Sequence, residues 1–160
     1  MTHFQRLQRL FPLAIALHNL EEGLWLPGWA AAHAAYLPWH PKPLKFRAIL
    51  LVLTLAAFFV TDLSLKKGLG SSWTRLFLAY SAIMLLNVFV PHLPATIYFH
   101  AYTPGVVTAC CAILPLTGAL VFLGVRDGAL PGWRARATTL GVPVALAIVA
   151  AVFFLRRLPR

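Results

Sequence analysis

Three short stretches carry side chains capable of chemistry in a chain otherwise built from apolar runs. They are His18-Asn19-Leu20-Glu21-Glu22, the segment from Asn87 to His92, and His100-Ala101-Tyr102 leading to Pro104-Gly105 and Thr108. At about 100° per helical residue, Glu22 lies about 40° from His18 and Glu21 about 60° to its other side, so one helix face presents all three. Adjacent carboxylates shielded from water need cations, shared protons or a metal. No Lys or Arg lies near them in that segment. Three imidazoles and two carboxylates are the ligand types of zinc with an open water position, or of iron or manganese bridged by carboxylate. His18, His92 and His100 are the expected metal ligands, with Glu22, or else Glu21, as a fourth. The remaining Glu serves as general base or hydrogen-bond partner, and Asn87 and Tyr102 orient water or a substrate oxygen.

The elements that must position these groups are long and apolar. Five runs, at about 7–26, 46–65, 73–90, 104–125 and 138–155, are each close to the roughly 20 residues that cross a bilayer. The connection after the first run carries Pro27, Pro38, Pro41 and Pro43. Within it, Trp29 to Trp39 suits a short interfacial helix, with aromatic rings at headgroup level. The expected fold is therefore all-α: a single domain over 1–160, a polytopic transmembrane bundle of about five spans plus that short helix. Successive spans alternate direction. The end of the first, the end of the third and the start of the fourth then share one membrane side, which lets His18, Glu21, Glu22, Asn87, His92 and His100 meet in one cavity.

Composition excludes most other classes. Of 160 residues, 60% are hydrophobic and 11% charged, with a mean hydropathy of +0.77. A soluble domain carries about a quarter charged residues, so the outer surface here must face lipid. Net charge is +10, from 14 Lys and Arg against 4 Asp and Glu. The cations cluster between apolar runs, as Lys42/Lys45/Arg47 and Lys66/Lys67/Arg75 do, which is the pattern of membrane loops gripping headgroups rather than of a nucleic-acid surface. The tail Arg156/Arg157/Arg160 continues it. This charge bias favours an N-terminus inside only slightly. Cys110 and Cys111 are adjacent within an apolar run and read as small core residues rather than a disulfide or zinc ribbon. Pro115 marks a kink in the fourth run, and Asp62 with Lys66 forms an i,i+4 pair. His33 and His40 read as solvated interfacial residues.

The His18-Asn19-Leu20-Glu21-Glu22 stretch, Asn87 with His92, and His100 with Tyr102-x-Pro104-Gly105-x-x-Thr108 together resemble the HXXEE family of small bacterial integral membrane proteins. That resemblance implies a membrane location, with the bacterial inner membrane as the expected site, and a shared polar centre. It implies no reaction.

From the residues themselves, the expected function is a membrane-embedded, metal-dependent enzyme, a hydrolase ahead of an oxidase, acting on a lipid or other apolar substrate that enters from one leaflet. A metal-bound water, its pKa lowered by the cation, would be deprotonated by a Glu. A proton- or cation-coupled transporter would use the same groups as a relay, and a non-catalytic protein would hold a lipid or helix partner in the cavity. Serine triads are set aside, because Ser64, Ser71 and Ser72 fall at the opposite membrane side and Ser81 lies mid-span without a nearby His.

Overall fold

Thr2 opens the chain with a reciprocal cap: its hydroxyl accepts from Gln5 N at 3.2 Å and Gln5 Oε1 accepts from Thr2 N at 2.9 Å. The computed structural model describes residues 1–37 and 41–155. Among them every regular element is helical. After α1 (His3–Gln8) come α2 (Phe11–Ala32), α3 (Pro43–Lys67) and α4 (Ser72–Asn87). A wide turn over Val88–His92 then leads into α5 (Leu93–Phe99). The next helix begins as α6 (Val106–Thr108), widens over Ala109–Ile113 and continues as α7 (Leu114–Arg126). A last helix is assembled from α8 (Gly132–Arg136), a wide turn and α9 (Val142–Leu155).

Three helical segments, Pro43–Lys67, Ser72–Phe99 (broken at Val90) and Val106–Arg126, are long and apolar enough to cross a membrane. That is the signature of a membrane protein. Large apolar side chains such as Leu51, Val52, Leu55, Phe59 and Phe122 stand exposed on the outside, a surface that water would penalise and lipid does not. Inside, Phe4, Phe11 and Phe77 are fully buried, with Phe11 and Phe77 edge to face at 5.0 Å. At the same end, a buried chain of hydrogen bonds from Gln8 to Ser64 (2.6 Å) and on to Thr74 (2.8 Å) ties α1 to α3 and α4.

Prolines account for the differences from the sequence expectation. Pro27 was expected to end the first helix, yet α2 runs through it to Ala32. A proline removes the N–H that would bond the carbonyl four residues back, here that of Gly23. Arg47 Nε donates to that same carbonyl at 2.9 Å, so the opened helix is satisfied from α3 and need not stop. Of the expected interfacial helix over Trp29–Trp39, residues 29–32 are the last turn of α2 and 33–36 form a turn beyond it, while Trp39 and His40 lie outside the described residues, as does the Arg156/Arg157/Arg160 tail. The third run, by contrast, breaks where it was expected to end: Val90 leaves helical geometry (φ −150°, ψ 108°), and after this kink at Pro91 the chain resumes as α5. The kink expected at Pro115 falls where the wide turn meets α7. Asp62 and Lys66 pair as expected, at 2.7 Å. Cys110 packs against the core, whereas Cys111 is exposed, outside the core role expected of it.

Candidate metal centre

Glu21 and Glu22 leave the same face of α2 but meet different surroundings. Glu21 is drawn into the connection between α5 and α6. Its Oε1 accepts from the Tyr102 hydroxyl at 2.6 Å and from the Gly105 backbone N–H at 3.0 Å. Its Oε2 accepts from the Thr108 N–H at 3.0 Å and the Thr108 hydroxyl at 2.5 Å. Four donors disperse the charge, which is how a shielded carboxylate is tolerated without a cation. Partial burial and the hydrogen bond to Glu21 push the Tyr102 hydroxyl up to about 12, so it remains a protonated donor.

Glu22 faces imidazoles instead. Its Oε1 lies 3.4 Å from His92 Nε2 and 3.9 Å from His18 Nε2. Both histidines are almost completely buried, and their rings meet edge to face at 5.0 Å. Asn87 sits over the pair, with Nδ2 at 3.0 Å from His92 Nε2 and 3.5 Å from His18 Nε2. His18 Nδ1 lies 2.9 Å from the Thr108 hydroxyl. His92 turns its Nδ1 edge towards Gly105. Both Nε2 atoms therefore point at Glu22, and the other edge of each ring is held by the segment that also holds Glu21.

His18, Glu22 and His92 form a group whose three ligand atoms all lie within 4.8 Å of one another, an arrangement that could hold a metal ion. His92 reaches it because the Pro91 kink re-aims the chain after α4. His100 is not part of the group. It ends α5 in a left-handed conformation (φ 49°) and is exposed, so its expected place among the ligands is corrected: the backbone reversal after Phe99 carries it outward. Of the other expected site residues, Glu22 and Asn87 border the imidazoles, whereas Glu21 and Tyr102 bond each other beside them.

Two further residues shape the centre. Thr108 links His18 to Glu21, and its spacing from Gly105 as Gly-x-x-Thr was the available signal. Gly105 has φ +91°, and a Cβ there would collide with His92 Cε1 and sit 3.0 Å from Glu22 Cγ, so only a glycine brings the backbone this close. On the far side of α2, Asn19 Nδ2 donates to the Leu50 carbonyl (3.1 Å) and Thr54 hydroxyl (2.8 Å), fixing the rotation of the helix against α3.

The family model described as a protein of unknown function with an HXXEE motif matches residues 9–120, a stretch that contains every residue of this centre. An uncharacterised protein of Bacillus subtilis (strain 168), YrkK, is 28% identical over 117 residues, 70% of each chain. No solved structure matches the chain. With its His18, Glu21 and Glu22 built into one centre, this chain belongs to the HXXEE family.

Proposed function

We propose that this is a five-span protein of the cell membrane that binds one divalent metal ion through His18 Nε2, His92 Nε2 and Glu22 Oε1, and uses it to hydrolyse a lipid or other apolar substrate. The single observation behind the proposal is the convergence of those three atoms within 4.8 Å. Ligands about 2.0 Å from a tetrahedral zinc stand roughly 3.3 Å apart. The Glu22 contacts, at 3.4 and 3.9 Å, need only a small contraction. Two His and one Glu leave a fourth position for water, whose pKa a bound zinc lowers to about 7. Asn87, which caps both Nε2 atoms, would turn its amide to that water or to a substrate oxygen. Glu21 is a positioning residue: through Thr108 it keeps the Nδ1 hydrogen of His18 engaged and its Nε2 lone pair on the metal.

Glu21 has both oxygens occupied, so no unengaged carboxylate is left as a dedicated base. That observation favours a second reading, a ferrous centre, for which two His and one carboxylate are also the characteristic set, with dioxygen as co-substrate. Elemental analysis of detergent-purified protein separates the two. Stoichiometric zinc together with cleavage of a lipid ester or phosphoester that Glu22→Gln abolishes supports hydrolysis. Stoichiometric iron supports the alternative. Absence of any tightly bound transition metal in protein purified without chelators overturns both.

A further inference from the structure

Back to back with the metal-competent face of α2 lies a groove against α3, of about 340 Å³. It follows α2 from Ala16 to Leu24, a length of about 12 Å. Leu20, Leu24 and Leu51 line it with more than half of each side chain exposed, above a buried Leu50. Asn19 Nδ2 bonds Thr54 Oγ1 and the Leu50 carbonyl, so these three groups are engaged within the groove wall. The one charged lining residue is Arg47, which lines the groove nearest the start of α3. Its Nε is used on the Gly23 carbonyl, and no carboxylate among the described residues pairs with its charge. Lys42 and Lys45 stand exposed beside it, and the first turn of α3 contains no acid.

An apolar channel between two helices, ending on an unpaired guanidinium flanked by two ammonium groups, matches a chain attached to a phosphate. We propose that this groove binds one anionic phospholipid of the surrounding bilayer, its acyl chain along Leu20, Leu24 and Leu51 and its phosphate on Arg47. Arginine suits the phosphate because its planar fork presents two parallel donors even with Nε engaged.

Native mass spectrometry of the full chain, released from detergent with equimolar dioleoyl-phosphatidylglycerol and dioleoyl-phosphatidylcholine, tests this. One phosphatidylglycerol per chain is expected to be retained, with a preference of about fivefold for each headgroup charge contact. Arg47→Gln removes the preference. Leu20→Trp fills the groove while leaving every cation in place, and because Leu20 is exposed the core is untouched; it removes retention of both lipids. Equal retention of the two lipids by the unaltered chain overturns the proposal. So does full retention by Leu20→Trp, which would mark diffuse attraction to the Lys42/Lys45/Arg47 surface. Glycerol phosphate without acyl chains binding as well as the lipid would overturn it too.

Discussion

Thr108 grips Glu21 twice on one oxygen, its backbone N–H 3.0 Å and its hydroxyl 2.5 Å from Oε2. A hydroxyl has one proton to give. Donating it to Glu21 leaves the Thr108 oxygen as acceptor for His18 Nδ1 at 2.9 Å, and His18 Nε2 is then the lone-pair nitrogen that faces Glu22. The two glutamates of the motif thereby differ in surroundings: the first is held by four donors, the second faces the two imidazoles.

Removing the bridge should therefore weaken metal binding without removing a ligand. Thr108→Val is expected to lower metal affinity about 10- to 100-fold, the usual effect of losing an orienting partner. Competition against a fluorescent chelator reads this directly. Unchanged affinity would show that the Glu21–Thr108–His18 chain has no part in binding.

Gly105→Ala places a methyl group against His92 and Glu22 at a left-handed φ. The strain is expected to destabilise the protein by about 1–3 kcal/mol, and metal affinity should fall with it because His92 must move. Thermal unfolding in detergent, with and without added zinc, measures both effects.

Pro27 and Arg47 should be coupled through the Gly23 carbonyl. Arg47→Ala alone strands that acceptor away from water and should cost about 1–3 kcal/mol. In a Pro27→Ala background the backbone regains an N–H that can bond the Gly23 carbonyl, so the same Arg47→Ala change should cost clearly less. A double-mutant cycle on unfolding in detergent gives the coupling energy.

Metal ligands bind in their deprotonated forms, so binding should release whatever protons the free site carries and affinity should not fall as pH rises. Tyr102, held up to about 12, adds no further step at moderately alkaline pH. Isothermal titration in buffers of different ionisation heat counts the released protons. Affinity that falls as pH rises between about 5 and 8 would contradict ligation by His18, His92 and Glu22.

Much of this centre is legible in the residue order alone. Alternating apolar runs oblige Glu22, Asn87 and His92 to share one side of the bundle, and helical spacing places Glu22 beside His18. Two kinds of information are not carried by spacing. One is backbone reversal: His92 and His100 look equivalent as histidines flanking a Pro-rich link, yet the Pro91 kink turns the first inward and the left-handed turn at His100 turns the second out. The other is long-range capping. Pro27 reads as a helix end because nothing nearby in sequence can satisfy Gly23, and the group that does so, Arg47, is 24 residues away. The different surroundings of Glu21 and Glu22 are likewise set by Tyr102, Gly105 and Thr108, donors that only the folded chain brings near.

The most direct test compares metal stoichiometry in detergent-purified protein carrying His92→Ala with that carrying His100→Ala. One ion per chain is expected in the unaltered protein and in His100→Ala, and substantially less than one in His92→Ala. Equal loss in the two variants, or no ion in the unaltered protein, would contradict ligation by His18, Glu22 and His92.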